Sequence, residues 1–249
     1  MMKIHIPRKN NSPIWLVLSL LLCAMTVAPC YAGLQEELSA YGKADYATAL
    51  KELKPLAEKG DARAQNLLGK MYSLGQGGAK DSREAGEWFL KAAEQGVAEA
   101  QGMLGYMYLV GEGAPQNNGK ALEWISKAAE QGDAMAQYNL GVMYGGKGTK
   151  EEPAKAVHWM RKAAEQGHKY ALGSLALMYQ DGKGVSKDRV LAHMLYSLSV
   201  KAGNNNALKG QKDIAAHMSS AQVREANELA HKWKKNLPLP VVSKTGAKK

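Results

Sequence analysis

Lys-Ala-Ala-Glu-Gln-Gly occurs three times in this chain, at Lys91–Gly96, Lys127–Gly132 and Lys162–Gly167, with starts 36 and then 35 residues apart. A chain that resembles itself at a period of roughly 20–50 residues folds as stacked supersecondary units, each burying its apolar face against the next. The residues before each copy say what the unit is. Ala85, Trp88, Phe89, Ala92 and Ala93 fall at offsets 0, +3, +4, +7 and +8, one face of a helix. Ala121, Trp124, Ile125, Ala128 and Ala129 repeat the pattern, as do Ala156, Trp159, Met160, Ala163 and Ala164. An earlier unit reads Ala49, Glu52, Leu53, Leu56 and Ala57 and lacks the tryptophan, as expected of a terminal repeat.

The glycine that closes each hexapeptide stops this helix A, because glycine takes the left-handed C-cap conformation without a Cβ clash. Asp61 and Asp133 follow directly in two units and predict an N-cap for a second helix, B. Val97 and His168 stand there in the others, where weaker caps are expected. Helix B carries its own stripe: Ala64, Leu68, Met71; Ala100, Leu104, Met107; Ala136, Leu140, Met143; Ala171, Leu175, Met178. Glycine recurs inside it at Gly69, Gly105 and Gly141, with Ala176 in the fourth unit. Interior glycine costs a helix about 1 kcal/mol relative to alanine, so its recurrence predicts close approach of a neighbouring helix. Tyr72, Tyr108, Tyr144 and Tyr179 close each helix B before a glycine-rich link, which is one residue shorter around Gly145–Gly148.

Ala-x-x-Trp, Lys-Ala-Ala-Glu-Gln-Gly, Ala-Gln-x-x-Leu-Gly-x-Met-Tyr and Gly-x-Gly in that order resemble the Sel1-like repeat family, a relative of the tetratricopeptide repeats. The resemblance covers about Ala44 to Val200, four full units and a degenerate fifth. It implies an all-α, α/α superhelical solenoid of about five helix-turn-helix repeats that serves as an adaptor. Relatives are associated with assembling protein complexes and, in bacteria, with envelope and host-contact roles.

The fifth unit keeps the core stripe with Ala192, Leu195, Tyr196, Ser199 and Val200, but Met194 and Leu198 make its outer face apolar too. Something must cover it. Ser219 followed by Gln222 reads as a capping box, and Val223, Ala226, Ala230 and Trp233 make an apolar stripe, so a capping helix is expected over 219–237. The other reading of that segment is an amphipathic helix for a membrane or partner, because Lys232, Lys234 and Lys235 crowd its end. The repeat body is expected over 33–218, and a disordered basic tail over 238–249.

Residues 1–32 read as a signal peptide: Lys3, Arg8 and Lys9, an apolar run over Ile14–Ala28, then Cys30-Tyr31-Ala32 with small residues where a peptidase looks. The expected address is periplasmic or secreted after cleavage near Ala32. The alternative is an inner-membrane protein held by an uncleaved N-terminus. Both cysteines, Cys23 and Cys30, lie in this leader, so the remainder has no thiolate for catalysis, metal binding or a disulfide.

The formal net charge is +10, unevenly placed. Residues 33–200 hold 20 basic and 20 acidic side chains, whereas residues 201–249 hold ten basic against three acidic. A neutral body with a basic end does not make the stripe that a nucleic-acid-binding fold shows. The basic end suits an envelope polymer or an anionic surface.

No cofactor, metal or catalytic constellation is expected. The histidines show no ligand spacing, and the near phosphate loop over Gly141–Lys147 is followed by Gly148 where Ser or Thr is needed, with Gly141 inside helix B. Lys244-Thr245-Gly246 stands without a Ser-x-x-Lys nucleophile. If helix A lines the concave groove, as in tetratricopeptide-like stacks, a partner would read Glu87, Lys91, Glu123, Lys127, His158 and Lys162. The more ordinary role of the same charges is a solvated face, since surface pairs contribute little. The expected function is therefore a monomeric, exported protein-interaction scaffold. A cell-wall-linked enzyme or regulator, β-lactam- or peptidoglycan-related, and a secreted host-interaction factor remain as alternatives.

Overall fold

Helices of 13 residues are marginal alone in water and owe their stability to the face they bury. This chain stacks them in pairs. The computed structural model describes residues 40–240, so the expected leader and the tail beyond Pro240 lie outside the described residues. Among the described residues there are eleven helices of at least nine residues and no strand. They pair as α1 (Tyr46–Glu58) with α2 (Ala62–Leu74), α3 (Ser82–Glu94) with α4 (Ala98–Val110), α5 (Asn118–Glu130) with α6 (Ala134–Tyr144), and α7 (Pro153–Glu165) with α8 (Lys169–Asp181). The fifth pair is α9 (Arg189–Lys201) and the short α10 (Ala207–Ala215), followed by α11 (Ser220–Lys232). The fold is an all-α solenoid.

The core is built from both stripes read in the sequence. Every alanine of the helix-A stripes and the alanine, leucine and methionine of each helix B are buried, save Met178, which is half-buried. The interior glycines admit the next repeat. A Cβ on Gly105 would lie 2.6 Å from Ile125 Cγ1 and 2.9 Å from its backbone nitrogen, and one on Gly69 would meet the Phe89 ring at 2.7 Å. A single residue, the closing tyrosine of helix B, also sets the link. The carbonyls of Tyr72, Tyr108, Tyr144 and Tyr179 accept the N–H of Asp81, Asn117, Glu152 and Asp188 at 3.0, 2.8, 2.8 and 3.0 Å, so the N-cap of each new helix A hangs from the end of the preceding helix B.

Caps follow the expected chemistry. Asp61 and Asp133 accept backbone N–H groups at the starts of α2 and α6, while Val97 offers α4 nothing. His168 caps α8 through Nδ1, which accepts the Ala171 N–H at 3.2 Å, a longer bond than the 2.7–2.9 Å of the aspartate caps, as expected of a weaker cap.

A second set of polar contacts, in the hexapeptide itself, joins the repeats. The buried Gln65, Gln101 and Gln137 donate through Nε2 to the carbonyls of Ala57, Ala93 and Ala129 in their own pairs. The glutamine of the next hexapeptide then donates to each: Gln95 to Gln65 at 2.7 Å, Gln131 to Gln101 at 2.7 Å, and Gln166 to Gln137 at 2.9 Å. The ladder stops where Leu172 and Ala202 replace both partners together, and Ser199 takes over by donating to the Lys169 carbonyl at 2.7 Å.

At the C-terminal end, Met194 and Leu198 are buried, and α11 packs on α9 with Ala226, Leu229, Ala230 and Trp233 against the core. Its capping box is formed: Ser219 and Gln222 exchange side-chain and backbone bonds at 3.2 and 2.9 Å. The helix ends at Lys232, short of the expected 237, because Trp233 turns to extended backbone. Pro238–Pro240, expected to begin a disordered tail, is instead docked. Leu239 is only 4% exposed, its N–H donates to Glu165 Oε1 at 3.1 Å, and Asn236 N–H donates to the Glu165 carbonyl at 2.7 Å. The missed signal is Arg161, the one arginine on an otherwise repeating helix A, which bonds the Tyr179 hydroxyl and lies 3.5 Å from the Leu239 carbonyl.

Candidate functional site

Two surfaces compete. The first holds the six charged residues read from the sequence. Glu87 and Lys91 lie on α3, Glu123 and Lys127 on α5, His158 and Lys162 on α7, and all six are exposed. Each group is local to its own helix. Lys127 pairs with Glu123 at 2.7 Å, but Glu87 and Lys91 form no ion pair among the described residues. Lys91 instead lies over the Trp88 ring, 3.9 Å from its centre, and Lys127 and Lys162 lie over Trp124 and Trp159 at 4.1 and 4.6 Å. The face is a row of lysine–tryptophan stacks, each a cation over the negative face of a ring. His158 stands edge-on to Trp159 at 5.1 Å. Glu87 borders a hollow of about 190 Å³ together with Leu90, Met107 and Tyr108.

The second surface lies on the B helices and was not singled out in the sequence. Helix B carries a second stripe at the −1, +2, +3 and +6 positions around its core alanine, which again is one helical face. It reads Arg63, Asn66, Leu67, Lys70 on α2; Glu99, Gly102, Met103, Tyr106 on α4; Met135, Tyr138, Asn139, Val142 on α6; and Tyr170, Gly173, Ser174, Leu177 on α8. Unlike the core stripe, it does not repeat. Small and large residues alternate from helix to helix: Gly102 and Gly173 sit on either side of Tyr138. Gly102 lies close enough to the next B helix that a Cβ there would be 3.6 Å from Ala136 Cβ.

The result is a trough. Glu99, Met103, Tyr106, Asp133, Met135, Tyr138, Asn139 and Tyr170 line a cavity of about 530 Å³. A further hollow of about 430 Å³ shares Tyr138 and Tyr170 with it and runs on past Leu177 to Tyr196 and Asp213. Tyr106, Met135 and Tyr170 are 42%, 52% and 43% exposed. Large apolar side chains gathered at one concave place, with few polar groups, are what a binding groove looks like before it is filled.

The electrostatics of the trough are fixed by its neighbours. Burial pushes the Glu99 carboxyl up, but hydrogen bonds from Lys70 at 2.9 Å and Asn66 at 2.8 Å outweigh it and hold the group below its ordinary value. His168 packs against Tyr138, with ring centres 4.8 Å apart. Burial lowers its pKa, Asp133 opposes that shift and Lys169 adds to it, while Nδ1 accepts the Ala171 N–H at the start of α8. Burial raises the Tyr138 phenol.

No group of three or more His, Cys, Asp or Glu side chains among the described residues could hold a metal, and no described helix is long and apolar enough to cross a membrane.

The Sel1 repeat family matches at residues 62–97, 98–133, 134–168 and 169–204, so its register begins at helix B. Two solved structures share both fold and sequence. One is a protective antigen present in uropathogenic Escherichia coli strains, displaying an SLR fold: 35% identity, TM-score 0.70, 74% of this chain and 40% of that one. The chain thus spans well under half the length of that antigen. The other is a Sel1 repeat protein of Oxalobacter formigenes: 32% identity, TM-score 0.69, 79% and 82% of the two chains. A Sel1 repeat protein of Klebsiella pneumoniae at 21% identity and TM-score 0.50, over 74% and 92%, shares the fold. No curated protein matches the sequence.

Proposed function

Because this chain belongs to the Sel1 repeat family, we propose that it is an exported, non-enzymatic adaptor that docks a protein partner in the helix-B trough. Sel1 repeat proteins generally mediate protein–protein interaction, and the scaffold is generally non-enzymatic. The observation that carries the reading is the trough: Tyr106, Met135 and Tyr170 exposed around a cavity of about 530 Å³ on a scaffold held rigid by repeat packing. Rigid elements present a pre-formed surface, so little ordering entropy opposes association. Support for export comes from the basic start, the apolar run over Ile14–Ala28 and the small residues ending at Ala32. The basic residues from Lys232 onward would add attraction to an anionic envelope polymer without fixing the partner.

The test is affinity capture of the tagged full chain from envelope extract, with the partner identified and its binding compared across two variants. Met135→Glu/Tyr170→Glu should release it. Glu87→Ala/Glu123→Ala/His158→Ala should retain it; the reverse pattern moves the site to helix A. N-terminal sequencing of the exported protein should begin at Gly33. A second reading, a factor exposed to a host, rests on the likeness to the E. coli protective antigen and predicts that antibodies reach the chain on intact cells.

A further inference from the structure

Within that adaptor reading, on which this step rests, we propose that His168 makes the trough acid-responsive: protonation of its ring opens the N-cap of α8 and shifts Tyr138 and Tyr170, so the adaptor holds its partner near neutral pH and releases it in acid.

His168 does two jobs at once. Its Nδ1 accepts the Ala171 N–H at 3.2 Å and so caps α8. Its ring also packs against the two tyrosines shared by both hollows. Ring centres lie 4.8 Å from Tyr138 and 5.9 Å from Tyr170, and the tyrosines are 6.2 Å from each other. The same position holds Asp61, Val97 and Asp133 in the other three repeats. An aspartate cap stays ionised, and valine has nothing to ionise, where an imidazole changes charge. Of the four, repeat four alone ties its cap to a group that titrates between about pH 5 and 8.

Both jobs depend on one nitrogen. Nδ1 accepts an N–H only while it carries no proton. Once protonated it is itself a donor, turned toward the donor it used to pair with, and a positive ring stands at the positive end of α8. Burial and Lys169 disfavour that charge, so the cap holds to a lower pH than a free imidazole would allow. Asp133 favours the charge. The carboxylate that ends α7, Glu165, is engaged by Arg161 and the Leu239 N–H. From α9 the contact beside the cap is the uncharged Ser199, on the Lys169 carbonyl. Asp133 lines the trough with Tyr138 and Tyr170. An imidazolium that leaves the cap is therefore drawn to the trough side, and the tyrosines that rest on the ring move with it.

The test is an NMR titration of the full chain, labelled at methionine methyls and histidine rings, from about pH 7.5 to about pH 4.5. It needs no partner. The Met103 and Met135 methyls, which line the trough, should shift with the midpoint of the His168 ring, while the methyl of Met71, buried in the first pair, stays in place. In His168→Asn, and in His168→Asp as a second variant, the cap does not titrate in this range and the trough methyls should not move. Asp133→Asn, which still caps α6, should lower the His168 midpoint. Still trough methyls in the native chain, equal movement in both His168 variants, or an unchanged midpoint in Asp133→Asn would each overturn the proposal. A captured partner should leave the native chain in an acid wash and stay on His168→Asn; release from both would also overturn it. If no partner is captured at all, the adaptor reading fails, and the acid response of the trough is decided by the methyls alone.

Discussion

Replacing Gln101 by alanine tests what the repeated hexapeptide does. Gln101 is buried, donates to the Ala93 carbonyl at 3.0 Å and accepts from Gln131 Nε2 at 2.7 Å. Two net hydrogen bonds at about 1 kcal/mol each, plus a lost buried methylene at about 0.8 kcal/mol, make the expected cost about 3 kcal/mol. For a domain of this size that lowers Tm by about 6–12 °C. Gln131→Ala removes one bond from an exposed partner and should cost about 1 kcal/mol, and the double variant should show a coupling of about 1 kcal/mol. Gln101→Leu, which copies the natural Leu172, keeps the apolar volume and should cost about 2 kcal/mol. The assay is urea denaturation followed by far-UV circular dichroism and tryptophan fluorescence. A cost below about 0.5 kcal/mol for Gln101→Ala, or no coupling to Gln131, would refute the claim that side-chain amides tie the repeats together.

The other expectations concern single features. His168 and His193 both have burial-lowered pKa values, so the unfolded chain takes up protons first as pH falls below 6.5. Stability should be full above that value and decline toward pH 5, and His168→Asn, which caps without titrating, should flatten the decline in Tm; an unchanged slope would exclude His168. Gly105→Ala should cost about 1–3 kcal/mol by overpacking against Ile125, whereas Gly102→Ala, with ordinary contacts at 3.6 Å, should be neutral or stabilising in the same melt. Truncation before Ser219 uncovers Met194 and Leu198 and should produce a lower Tm with aggregation visible by light scattering, and an unchanged melt would mean that α11 is not a cap.

The architecture was legible because it depends on periodicity, and periodicity survives any neighbour. Ala85 to Ala93 and its copies could only be a buried face, and Gly105 could only mark a close approach. The amide ladder was missed although its signal was present. Gln95 and Gln65, Gln131 and Gln101, Gln166 and Gln137 occur together, and Leu172 and Ala202 depart together. Glutamine looks like a solvent residue until the partner is placed beside it. The trough was harder to see. Its stripe has the same helical spacing as the core stripe, so Met103, Tyr138 and Val142 read as more apolar positions on helices already apolar all round. What separates the two is variation: core positions recur from unit to unit, and trough positions do not. The ends of a solenoid depend on contacts that no repeat predicts, which is why Leu239 docking on Glu165 escaped notice.

Site-specific photo-crosslinking in intact cells tests the central claim most directly. A photoreactive residue is placed at Met135, exposed in the trough, and in a second strain at Glu123, exposed on α5. Recognition through the B helices predicts a discrete protein adduct from position 135 and none from position 123. Adducts from position 123 with none from position 135 would contradict it.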